Sequence, residues 1–77
     1  MYDTLIKLNS IKDLYSFVDI LDHFSGTFEI VANDYAVDAK SLMSMLSLNL
    51  SKPLELTIDS EEVDNILDQL KPFILHE

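Results

Sequence analysis

An α+β open sandwich, with helices packed on one face of a sheet and elements in the order βαββαβα, is the fold class this sequence predicts. Three observations lead to it. Residues 54–59, Leu-Glu-Leu-Thr-Ile-Asp, alternate apolar and polar side chains without interruption, the period of a half-buried strand. Ile11, Leu14, Tyr15, Val18 and Leu21 recur at steps of three and four, the period of an amphipathic helix. The chain has 77 residues, 48% of them hydrophobic, and no cysteine, which supplies one small core and no disulfide to reinforce it. Residues 1–77 are therefore read as one domain that folds on packing alone.

The elements follow in order. In residues 2–8, Tyr2, Thr4, Ile6 and Leu8 share one side and Asp3, Leu5 and Lys7 the other, which predicts the first strand. Asn9 and Ser10 are N-cap residue types, and the helix they open is expected over residues 10–23. Its polar side carries Lys12, Ser16, Asp19 and His23, with Ile20 beside it as an exposed apolar residue. Ser25-Gly26, with the single glycine of the chain, stops that helix. Phe28, Ile30 and Ala32 then alternate with Thr27, Glu29 and Val31, and Asn33-Asp34 turns the chain into Tyr35, Ala36 and Val37 as a hairpin. Ser41 opens a short helical run over residues 42–46 that ends at the polar break of residues 49–53. The strand at residues 54–59 turns Leu54, Leu56 and Ile58 inward. Asp59, Ser60, Glu61 and Glu62 supply caps and first-turn acids for a last helix with Val63, Ile66, Leu67 and Leu70 on its core face, and Pro72 ends it.

Charge limits what such a domain can bind. Fourteen Asp plus Glu stand against five Lys, with no Arg, for a net charge of -9. That balance repels phosphate backbones and anionic lipid, so neither nucleic acid nor a membrane is an expected partner. No basic segment precedes an apolar run at Met1, and no stretch approaches the roughly 18 apolar residues of a span, so a soluble, cytoplasmic protein is expected. Asp19 and His23 lie four apart and could share a metal, but two ligands without further His or Cys make no adequate site. No Ser/His/Asp set or carboxylate pair stands out, so neither an enzyme nor a cofactor is expected. His23 falls at the negative end of its helix beside Asp19 and Asp22, where a phosphoryl group would be repelled. His76 is read as part of a frayed tail with no role.

Val37-Asp38-Ala39-Lys40-Ser41-Leu42-Met43-Ser44-Met45-Leu46-Ser47-Leu48 resembles the helix-two segment of the HPr family, the bacterial histidine-containing phosphocarriers of the sugar phosphotransferase system. The family segment looks like V-[DN]-x-K-S-[IL]-M-G-[VL]-[ML]-S-L, and only Ser44, in place of its Gly, clearly departs. The resemblance implies a four-stranded antiparallel sheet with three helices on one face. It also implies an active loop, Gly-x-His-Ala-Arg-Pro, where a histidine at the start of the first helix takes phosphate from enzyme I. Gapless counting back from Phe24 puts Ser10 at the histidine position, Lys12 at the arginine and Asp13 at the proline. The constellation is absent, as in catabolite-repression HPr, and the loop looks shortened.

What remains of the resemblance concerns regulation and docking. In Gram-positive HPr and in catabolite-repression HPr, the serine matching Ser41 is phosphorylated by a dedicated kinase, and the phospho-form binds a transcriptional regulator. A phosphate at the start of the following helix would be favourably placed, although Ser41 serves equally as a plain N-cap. The family positions matching Leu42, Met43 and Leu46 form an exposed apolar docking patch, with Met45 as the buried one, and Tyr15 and Ile20 could extend it. The expectation is thus a non-catalytic, HPr-like regulatory or protein-binding module, with an HPr kinase or a transcriptional regulator as candidate partner and Ser41 as candidate switch. A phosphocarrier using an atypical residue is the alternative. An acyl carrier protein is a remoter one, since those carriers resemble four-helix bundles with Asp-Ser-Leu at the prosthetic site, whereas Lys40 precedes Ser41 here.

Overall fold

The unbroken alternation of residues 54–59 belongs to a strand with neighbours on both sides. The computed structural model describes residues 1–32 and 35–75. Its elements are β1 (Tyr2–Ile6), α1 (Ile11–Asp22), β2 (Thr27–Ala32), β3 (Tyr35–Asp38), α2 (Leu42–Leu46), β4 (Leu54–Asp59) and α3 (Val63–Leu70), followed by a 3-10 turn, Lys71–Phe73. They build a four-stranded sheet in the order β1-β4-β2-β3, with each neighbouring pair antiparallel. The helices cover one face of it. This is the predicted α+β open-faced sandwich, and its sheet is not the four-helix bundle an acyl carrier would need.

The core lies between helices and sheet. Leu54, Leu56 and Ile58 of β4 are buried beside Phe28 and Ile30 of β2 and Ile6 of β1. Against them pack Leu14, Phe17, Val18 and Leu21 of α1, Met45 of α2, and Ile66 and Leu70 of α3. Phe17 meets Phe73 edge to face at 6.2 Å between ring centroids, a favoured aromatic geometry.

Several boundaries differ from the sequence reading. The buried stripe of α1 is Leu14, Phe17, Val18 and Leu21, while Ile11 and Tyr15 are about half exposed, at 48% and 50%. Both stripes obey helical spacing, and Phe17 buries a fully apolar ring where Tyr15 would bury a hydroxyl needing a partner. β1 ends at Ile6 rather than Leu8. Past Ile6 the chain leaves β4: the Lys7 N–H donates to the Phe73 carbonyl at 2.8 Å, its Nζ donates to the Leu50 carbonyl at 2.7 Å, and Leu8 stays buried without a strand partner. The acids before α3 do not cap it directly. Ser60 Oγ instead accepts the Glu62 N–H at 3.2 Å and donates to the Ser25 carbonyl at 2.8 Å, fastening this turn to the loop after α1. That loop needs Gly26, whose φ is +126° and where a Cβ would lie 2.5 Å from the Asp59 carbonyl oxygen.

The segment after α3 is tied down. Pro72 sits in the 3-10 turn just past the helix end, and Ile74 then bridges Ile6 while the Leu75 N–H donates to the Leu5 carbonyl at 2.9 Å, lining the outer edge of β1. The Asn33-Asp34 turn and His76 lie outside the described residues.

Candidate functional site

The start of α1 is where an HPr-like chain would hold its phosphoryl group. Here it is closed by two side chains of its own. Ser10 is the N-cap, with extended backbone, and its Oγ accepts the Asp13 N–H at 3.2 Å. The Asp13 carboxylate reaches back to accept the Asn9 N–H at 3.0 Å. This is close to a capping box, shifted by one residue at its return bond, and it puts a carboxylate at the positive end of the helix dipole. Ser10 and Lys12 are both exposed. Neither offers an imidazole nitrogen, and His23, the histidine among the described residues, is at the far terminus of α1.

At that far terminus the His23 Nδ1 lies 2.7 Å from the Asp19 carbonyl oxygen, so this nitrogen carries the hydrogen and donates it. The ring borders an open cleft of about 310 Å³ with Asp19, Ile20, Phe24 and Gln69. Among the described residues no group of three His, Asp or Glu is placed to hold a metal. Ile20 is half-buried and packs against the core, so it contributes to this cleft and to the interior rather than to a free apolar surface.

The second region of interest is α2. Its entry is held by Lys40, a residue to which the sequence reading gave no role. The Lys40 Nζ donates to the Phe24 carbonyl at 2.6 Å and lies 5.1 Å from the centroid of the Phe28 ring, while its N–H donates to Asp38 Oδ1 at 2.9 Å. One ammonium therefore joins the carbonyl end of α1 to β2 and to the turn before α2. Ser41 follows as N-cap, its Oγ accepting the Ser44 N–H at 3.4 Å, a long bond from a half-exposed side chain. Ser44, in the place of the family's Gly, is helical, and its carbonyl accepts the Ser47 hydroxyl at 2.7 Å.

Met45 is fully buried, as expected. Met43 is 80% exposed and Leu46 39%. Leu42 is only half-buried and packs against the core, which narrows the expected patch on α2 to Met43 and Leu46. α1 packs against α2 and leaves exposed Tyr15 and also Ile11, which spacing alone had assigned to the core. The missed signal was the position of Ile11 as the first residue of the helix, one turn before the buried stripe begins. Residues 41–51 carry no charged side chain, in a chain where 25% of residues are charged. The two helices thus present exposed apolar groups with serines and no charge on α2 itself.

No protein-family profile matches the chain, and no curated protein matches it in sequence. Among solved structures the chain is similar to the crystal structure of HPr-C-His from Thermoanaerobacter tengcongensis, with a TM-score of 0.78 at 20% identity over 94% of this chain and 89% of that one. The likeness shows an HPr-like fold. No helix among the described residues is long and apolar enough to cross a membrane.

Proposed function

We propose that this chain is an HPr-like protein-docking module of phosphotransferase lineage that carries no phosphate on histidine. The observation that supports it is the exposed apolar set Ile11, Tyr15, Met43 and Leu46 on two adjoining helices. Large apolar groups left together in water on an otherwise acidic domain favour a protein partner. The closed start of α1 agrees: Ser10 and Asp13 already use N–H groups a phosphoryl oxygen would need, and the Asp13 carboxylate opposes a second anion. The module is regulatory rather than enzymatic, and an HPr kinase or a transcriptional regulator is the class of partner the fold suits. Ser41 is the proposed switch. A phosphate there adds about -1.5 to -2 charge beside the uncharged α2 face and so changes what can dock on it.

Two measurements test the reading. Incubation with phosphoenolpyruvate and enzyme I is expected to leave the chain unlabelled, and stoichiometric label would establish the phosphocarrier alternative instead. Treatment with an HPr kinase and ATP is expected to add one phosphate, mapped to Ser41 and abolished by Ser41→Ala. An unchanged mass, with a normal HPr phosphorylated in parallel, would remove the switch.

A further inference from the structure

We propose that Met43 is a methionine-oxidation site through which peroxide turns down the apolar docking face of α1 and α2, an inference that rests on the docking reading above. The chain has three methionines, and the fold separates them sharply. Met45 is 0% exposed, Met1 is 91% exposed at the chain start, and Met43 is 80% exposed on the same short helix as Met45. Two residues of one type, two positions apart, therefore differ in whether an oxidant can reach them.

The chemistry needs that access. The thioether sulfur attacks one oxygen of hydrogen peroxide, an S–O bond forms as the O–O bond breaks, and the leaving hydroxide takes the proton of the transferred oxygen to depart as water. Sulfur loses two electrons and the peroxide gains them, giving methionine sulfoxide, which sulfoxide reductases return to the thioether. At Met45 the sulfur lies inside the core and cannot be approached without opening the fold. At Met43 the product is a strong acceptor on an uncharged helix that also exposes Leu46 and packs against α1, which exposes Ile11 and Tyr15. A partner seated there would have to cover an oxygen it was not built to bond, which weakens docking by about tenfold. Met43 has no place in the core, so its oxidation leaves the fold intact.

The test uses the whole chain, hydrogen peroxide and peptide mass mapping, with Met1 as internal reference. Met43 is expected to oxidise at a rate within about threefold of Met1, and Met45 at least about tenfold more slowly, with unchanged circular dichroism. Retention on a phenyl hydrophobic-interaction column reads the face itself. It is expected to fall on oxidation, to recover with sulfoxide reductase, to be lowered by Met43→Gln without oxidant, and to stay high in peroxide-treated Met43→Leu, where Met1 is still oxidised. Equal rates at Met43 and Met45 would overturn the site. Unchanged retention of the oxidised chain, with Met43→Gln still lowering it, would sink the switch and leave the docking face standing. Unchanged retention of Met43→Gln would overturn the apolar-face reading and the switch together.

Discussion

Ser10 and Asp13 together decide the character of the first helix end. Each satisfies a backbone N–H, of Asp13 and of Asn9, and the carboxylate adds a favourable interaction with the dipole, so the terminus is capped by its own side chains. Ser10→Ala is expected to cost about 1 kcal/mol, lowering the thermal midpoint by roughly 4–8 °C for a domain of this size, measured by calorimetry. If the midpoint held, the cap would not be needed for stability. Lys40 is the other residue that couples distant parts. Lys40→Met keeps most of the stem but abandons the Phe24 carbonyl and the Phe28 ring, and a charge-assisted hydrogen bond of this kind contributes about 1.5–3 kcal/mol. Urea titration of Lys40→Met should show a loss in that range, and a loss under about 0.5 kcal/mol would mean the ammonium is equally well solvated without these partners. Reading Lys40 from sequence was not possible, because its acceptor is a backbone carbonyl 16 residues away and a carbonyl leaves no trace in the residue pattern.

At the scale of elements, β2 and β4 were legible because each turns every second side chain into one core, and a period of two survives any choice of neighbour. The start of α1 was legible from Ser10 because an N-cap acts within four residues. The rotation of α1 was not. Ile11, Leu14, Tyr15 and Val18 form as good a stripe as Leu14, Phe17, Val18 and Leu21, and only the sheet below decides between them. The exposed apolar positions inherit this limit: Met43, Leu46 and Tyr15 stand exposed, Leu42 and Ile20 are half-buried against the core, and Ile11, read with the buried stripe, is exposed. The outer edge of β1 was invisible too, since Ile74 and Leu75 reach it only after the whole sheet has formed. Gly26 tests the joint between α1 and β2. A Cβ there would be pressed against the Asp59 carbonyl at 2.5 Å and would impose L-residue strain at φ +126°, so Gly26→Ala is expected to destabilise by more than about 2 kcal/mol. A variant within about 0.5 kcal/mol of the parent would show that the β4 end can move aside.

Taken as a whole molecule, the chain leaves one helix uncharged and one sheet face acidic without a cation on it. The helix side has the uncharged α2, whereas the open face of the sheet carries Asp3, Glu29, Asp38, Glu55 and Asp59. Register puts Glu29 directly opposite Asp38, a like-charge pair that costs stability. No lysine of the chain lies on a strand of that face pointing at these acids: Lys7 is bonded to Leu50, Lys40 to Phe24, and Lys71 sits 3.9 Å from Asp68 on α3, with Lys12 on α1 and Lys52 in the loop before β4. A net charge of -9 on 77 residues repels itself, and on this sheet face no lysine offsets it. Raising salt from about 0.01 M to about 0.5 M shortens the screening length from about 30 Å to a few Å, and the thermal midpoint is expected to rise with it. Glu29→Lys removes the like-charge pair and places a cation among four acids, so at low salt it should stabilise by roughly 0.5–1 kcal/mol. The same variant should gain less from added salt than the parent, because part of the repulsion that salt screens is already gone. If Glu29→Lys raised the midpoint equally at both salt concentrations, its effect would be strand propensity or packing rather than relief of charge, and the open face would not be where the acidity of this chain costs stability.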